Sequence, residues 1–237
     1  MRKFIRKLFL IFLLIFVIVM TTLLSQGYVR YEREIKNKPL DQAVDEYRNK
    51  ENYVEFEDID DDFVKAVISV EDKRYFDRKG YDIIALFRAL YHDFLAKDIV
   101  EGGSTISEQI AKNLYLGGYV NGMEEKMAEI YLMLDLEKHY SKQELFALYA
   151  NMNYYGDGYY GIYDASMGYY HNSPSDLSLA KAAMLAGIPN APSIYQLSSG
   201  YELAKERQEW VLYTMLNNGY ISENEYDNAI KEDVKGY

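Results

Sequence analysis

The chain opens with an apolar run from Leu8 to Met20, which continues through Thr21 and Thr22 to Leu24 without a charge. As a helix, that run is just long enough to cross the hydrocarbon core of a bilayer. Beyond it the pattern changes: residues 25–59, which include YEREIKNKPLDQAVDEYRNKENY, are charged and polar and predict a juxtamembrane stalk with partial helicity. From Phe63 onward, apolar residues recur at helical spacing. The groups are Phe63, Val64, Val67 and Ile68; Ile83, Ile84, Phe87 and Leu90; Ile130, Leu132, Met133 and Leu136; and Leu145, Leu148 and Tyr149. Such a period predicts amphipathic helices around one core. Glycines at 117–118 and 156–161 punctuate them, and Tyr201–Tyr237 reads as two short helices with Trp210, Leu212 and Met215 as core contacts. The organisation expected is a basic start and anchor over 1–24, a stalk over 25–59 and a mainly α domain over 60–237.

The flanks of the apolar run decide how it is read. Arg2, Lys3, Arg6 and Lys7 precede it, so the positive-inside rule puts the N-terminus in the cytoplasm and the rest of the chain on the outer face. A cleaved signal peptide shares the basic start but needs a small-residue cleavage site, and TTLLSQGYVRYE is a poor one. An uncleaved single-pass anchor is therefore expected.

Without those four basic residues the formal net charge moves from −11 to −15. A strongly acidic outer part argues against nucleic acid as a partner and against a broadly basic membrane-binding surface. Any anionic ligand must meet a local cluster of cations, for which Lys73, Arg74, Arg78, Lys112 and Lys126 are the candidates. The absence of cysteine leaves packing alone to hold an exported domain together. His92, His139 and His171 are scattered without metal-ligand spacing. The 25 tyrosines suit a sugar-lined groove or a membrane interface, although most tyrosines in a folded domain are simply half-buried.

The densest chemistry lies in EGGSTISEQIAKN, Glu101–Asn113. Gly102 and Gly103 permit close backbone approach, Ser104 and Thr105 can cap the following helix, and free N–H groups at its start suit an anion. Three more blocks accompany it: VEDKRYFDRKGYD from Val70, EKMAEIYLMLDLEKHYSKQELFALYANMNYYGDGYYGI from Glu125, and LSLAKAAMLAGIPNAPS from Leu177. In this order and at these spacings, over roughly residues 60–195, the chain resembles the peptidoglycan glycosyltransferases, the family of monofunctional transglycosylases and of the corresponding domain in class A penicillin-binding proteins.

That resemblance implies a mainly α, lysozyme-like helical domain behind a single N-terminal transmembrane helix. It also implies polymerisation of lipid II into β-1,4 glycan, with inversion at C1 and release of undecaprenyl pyrophosphate. The partners implied are lipid II, the growing glycan strand, the membrane and other cell-wall synthesis or division proteins. No organic cofactor is implied; a divalent cation, Mg2+ or Mn2+, is an optional helper whose ligands the sequence leaves unknown. Carried over position by position, Glu71 is the general base and Glu129 supports the donor site. Asp72, Lys73, Arg74, Arg78, Ser104, Thr105, Gln109, Lys112, Asn113 and Lys126 line the substrate and pyrophosphate site. Glu144, Asn151 and Gly156 read as scaffold.

The chain also departs from the family pattern. Lys73 stands for an arginine, Arg78 for a histidine, Glu108 for a glutamine and Glu125 for an arginine, and LGGYVNGMEE lacks the family's loop arginine. Glu125 lies four residues before Glu129, so repulsion between them is expected to raise one carboxyl pKa. The alternative reading is a non-catalytic lipid II-binding or scaffold protein of the cell-wall machinery. Two transpeptidase-like fragments, Ser178-Leu-Ala-Lys181 and Ser222-Glu-Asn224, occur without a Lys-Thr-Gly partner and read as chance matches.

Overall fold

The computed structural model describes residues 2–78 and 104–236. Its elements are α1 (Arg2–Asn37), α2 (Leu40–Arg48), α3 (Asp61–Glu71), α4 (Ile106–Tyr115), α5 (Met123–His139), α6 (Lys142–Met152), α7 (Ile162–Tyr170), α8 (Leu179–Gly187), α9 (Leu197–Asn217) and α10 (Glu223–Ala229). Among the described residues the sole β feature is an isolated bridge between Tyr154 and Tyr160. The mainly α expectation holds. The sequence positions Ile83, Ile84, Phe87, Leu90, Gly102 and Gly103 lie outside the described residues.

Local chemistry sets the helix starts. Asp60 caps α3 by accepting from the Asp62 N–H at 2.8 Å, and Asp61 and Asp62 favour the positive end of its dipole. Capping boxes open α4 (Thr105 with Glu108), α6 (Ser141 with Glu144) and α10 (Ser222 with Glu225). The two chance fragments thereby find their use: Ser178 caps α8 and Ser222 caps α10. Buried Asn151 on α6 accepts from the Val54 N–H at 2.9 Å and donates to the Val54 and Ala147 carbonyls, tying the segment before α3 to the core. Glu144 pairs with Arg48 at 2.7 Å.

α1 is one unbroken helix. Its first part exposes Phe4 to Val19 on all sides, and among the described residues it alone is long and apolar enough to cross a membrane. Its second part lies on α5. Gly27 is the crossing point: a Cβ there would stand 2.1 Å from Met127 Cβ. Tyr28, Tyr31 and Tyr131 pack edge to face or tilted around that crossing, and the Tyr31 hydroxyl donates to Asp135 at 2.9 Å. The segment 25–59 continues into the domain, burying Leu40, Ala43, Val44, Val54 and Ile59 in the common core.

Two sequence expectations change. Leu212 and Met215 are fully buried, but Trp210 is 46% exposed, because it lies on the outer side of α9. Phe63 is fully buried and Phe56 packs edge to face on Phe76 and Phe146, so both belong to the aromatic cluster around Phe146. The tail is one 21-residue helix, kinked at Gly200, followed by the short α10.

Candidate active site

α3 places Glu71 at its C-terminal end, where the chain leaves the helix through Asp72 in an extended conformation. That end of a helix carries negative partial charge, so an ionised carboxylate needs compensation there. α4 provides it: the Gln109 side-chain amide donates to Glu71 Oε2 at 2.6 Å. Lys112, three residues on, shares the Gln109 face of α4 and acts on Glu71 through its charge. Burial pushes the Glu71 carboxyl up, and the Gln109 hydrogen bond, Arg207 and Lys112 pull it back.

Asp72 pairs with Arg78 close to the start of α4. Burial pushes its carboxyl up, with Arg78 and Lys142 opposing. The Arg78 guanidinium is therefore committed to a carboxylate of its own chain, which limits it as a replacement for a lost phosphate ligand. Lys73 and Arg74 are exposed on the turn between Glu71 and Arg78.

The second half of the site is built by α4 against α5. Lys126 and Glu129, one turn apart on α5, pair at 2.8 Å, and Lys126 also stands 3.6 Å from Glu108. Glu129 is 1% exposed. Burial raises its carboxyl pKa, Lys126 and Lys112 oppose that, and Glu108 adds to it. The like charge beside Glu129 is thus Glu108, and not Glu125 as the spacing suggested. Glu125 turns to the other side, where it accepts from the Asn121 N–H at 2.7 Å and stands 3.8 Å from Arg30 of α1. It closes the turn that leads into α5 and meets α1.

Reading across the three helices, the charges alternate: Glu71, then Lys112, then Glu129, then Lys126, then Glu108. Of the sequence-predicted residues, the structure brings together Glu71, Asp72, Gln109, Lys112, Lys126 and Glu129. Thr105 is used as the α4 cap, Ser104 sits half-buried in the bend before it, and Asn113 lies near Gly118. Gly102 and Gly103 are outside the described residues.

Sequence reasoning missed the wall contributed by α9. A cavity of about 440 Å3 opens beside Glu71, with Arg207, Glu206 and Trp210 on its far side. The signal that could have found it is Arg207 and Trp210 at i, i+3 on a helix, a cation–aromatic pair of which only Trp210 is singled out from the sequence, as core. A site of this kind has a carboxylate at the edge of a cleft, lysines able to receive anionic charge, and an aromatic and polar wall of the sort that holds a sugar ring.

The sequence matches the family described as transglycosylase over residues 36–216. It is 39% identical over 193 residues to penicillin-binding protein 1F of Bacillus subtilis, covering 80% of this chain and 27% of that protein. A putative transglycosylase of Cupriavidus necator is 36% identical, with 81% of this chain and 83% of that one covered. The crystal structure of penicillin-binding protein 1A from Haemophilus influenzae aligns with 44% of this chain and 16% of that one, at 36% identity and a TM-score of 0.39. The chain spans about a quarter of the length of the penicillin-binding proteins it matches.

Proposed function

The chain belongs to the transglycosylase family, and from that premise we propose that it is a peptidoglycan glycosyltransferase that polymerises lipid II into β-1,4 glycan. The supporting observation is the convergence of one half-buried carboxylate, Glu71, with Gln109 and Lys112, beside the Lys126–Glu129 pair.

In this reading Glu71 accepts the proton of the acceptor sugar's 4-hydroxyl as that oxygen bonds to C1 of the donor. The C1–oxygen bond to the lipid pyrophosphate breaks with inversion, and Lys112 and Lys126 meet the charge that develops on the leaving group. Gln109 holds the base in place. Buried Glu129 orients Lys126 and, being paired, does so without leaving an isolated charge.

A divalent cation fits this site poorly as a resident of the protein. Among the described residues no three His, Cys, Asp or Glu side chains cluster for one, and the ammonium of Lys126 occupies the slot between Glu108 and Glu129. Mg2+ or Mn2+ is proposed only as a counter-ion carried in by the pyrophosphate, and no step depends on it. The protein is a membrane protein; we place its N-terminus in the cytoplasm and the site on the outer face, from Arg2, Lys3, Arg6 and Lys7 before the apolar run.

The test is glycan formation from purified lipid II by the full-length protein. Removing the base should lower the rate by about 10²–10⁴-fold in Glu71→Gln. Native rates from that variant refute Glu71 as the base. A native protein that binds lipid II and yields no product refutes the transferase reading in favour of a scaffold.

A further inference from the structure

Glu71 is not served by α4 alone. The cavity beside it is lined on the opposite side by α9, with Arg207, Glu206 and Trp210, and by Asn190 and Tyr195 from the connection before α9. Two contacts restrict where the Arg207 side chain can go. Its guanidinium carbon lies 4.4 Å from the centre of the Trp210 ring, the distance of a cation–π pair. Its stem runs over Gly187 of α8, so closely that a Cβ at 187 would fall 2.9 Å from Arg207 Cγ. A planar guanidinium held in this way is pre-organised, which a free surface lysine is not.

The groups facing Glu71 can be named by element. Gln109 and Lys112 come from α4, Asp72 from its own chain, Tyr149 from α6, and Arg207 and Glu206 from α9. Two cations are in that set. Lys112 is divided between Glu71 and Glu129, since it acts on both carboxyls. Arg207 is not among the groups that act on Glu129.

We propose that Arg207 is a positioning residue for the base: clamped on Trp210, it keeps the Glu71 carboxylate ionised at the cavity edge and leaves Lys112 to the departing pyrophosphate. This rests on the transferase reading above. The direction of each effect agrees with the geometry. Burial raises the Glu71 carboxyl, and after the Gln109 hydrogen bond Arg207 is the largest opposing influence, ahead of Lys112.

The experiment compares the native full-length protein with Arg207→Gln and Arg207→Lys in two measurements. The first is the pH profile of glycan formation from lipid II. With the guanidinium gone the base should need a higher pH to ionise, so the acid limb of the Arg207→Gln profile, taken relative to that variant's own plateau, should move to higher pH; Arg207→Lys should move it back towards native. The second is the titration of the Glu71 carboxyl carbon by NMR without substrate, which should shift in the same direction. A uniform loss at every pH with an unmoved Glu71 titration would overturn the proposal and leave Arg207 a packing or substrate-contact residue. If the native protein makes no glycan, the transferase reading falls, and the substrate-free titration still decides whether Arg207 sets the state of Glu71. Trp210→Leu guards against misfolding in the arginine variants: it keeps the charge and removes the clamp, so its acid limb should move part of the way. No movement would overturn the clamp.

Discussion

Replacing Gly27 by leucine tests whether the membrane helix is part of the active-site scaffold. A Cβ at this position would stand 2.1 Å from Met127 Cβ, 3.0 Å from Met127 C and 3.1 Å from Ala128 N. Carbon atoms pack best at about 3.5–4.0 Å, so the two helices must part by roughly 1.5 Å, and two of the three obstructing atoms are backbone that cannot swing aside. Against this stands a gain of up to about 1 kcal/mol when glycine leaves a helix interior. Over-packing costs about 1–3 kcal/mol, and stretching the 2.9 Å bond from Tyr31 to Asp135 adds about 1 kcal/mol. The clash wins, by about 1–3 kcal/mol.

The consequence reaches the chemistry, because Lys126 and Glu129 flank the two residues that are struck. A displacement of about 1 Å at a catalytic group can cost about 100-fold in rate. We expect Gly27→Leu in bilayer vesicles to form glycan roughly 10–100-fold more slowly. Spin labels at Lys36→Cys and Lys138→Cys report the helix separation directly, and the absence of native cysteine leaves no background. A native rate together with an unchanged label distance would refute the reasoning.

Two further outcomes are expected. Lys126→Ala leaves Glu129, 1% exposed, without its ion-pair partner, at a cost of about 3–5 kcal/mol if the carboxylate stays charged. A carboxyl whose folded pKa is raised favours folding below its unfolded pKa, and that advantage is lost as pH rises through the folded value. Thermal unfolding of Lys126→Ala should therefore fall furthest behind native at mildly alkaline pH and close the gap on acidification; a gap independent of pH would contradict it. Glu125→Arg restores the charge usual in the family, yet here it removes the Asn121 N–H acceptor and sets a second cation against Arg30. It should destabilise α5 and its contact with α1 by about 0.5–1 kcal/mol, less at high salt, without raising the rate of glycan formation. Faster glycan formation at unchanged stability would show that Glu125 does act on the substrate.

The helices around Phe63–Ile68, Ile130–Leu136 and Leu145–Tyr149 were legible because burial on one side imposes a 3.6-residue period on the apolar positions. The caps were equally local: Thr105 with Glu108 and Ser141 with Glu144 are three residues apart and announce themselves. Glu71, Lys112 and Glu129 were found through the resemblance of their blocks to a family, and the fold sets Lys112 where its charge acts on both carboxyls. Trp210 was misplaced because a large apolar side chain on an amphipathic helix reads as core from sequence, and nothing local says that the core behind it is already filled. The pairing of Glu125 was missed because spacing along one helix gave Glu129 as its neighbour, whereas the charge it meets in space is Arg30, 95 positions earlier.

By itself, the sequence determined what nearest-neighbour physics controls: a membrane-crossing apolar run with basic residues before it, a helical domain, the helix starts, and the blocks that carry the base and its lysines. Only the tertiary structure decided which charges meet. It laid the continuation of the anchor on α5 through a glycine crossing, gave Gln109 to Glu71 and Glu108 to Lys126, and brought Arg207 from α9 to the far side of the base. The reason is that electrostatic and packing partners are chosen by distance through space, and in a bundle of helices that distance depends on how faces pack and not on separation along the chain.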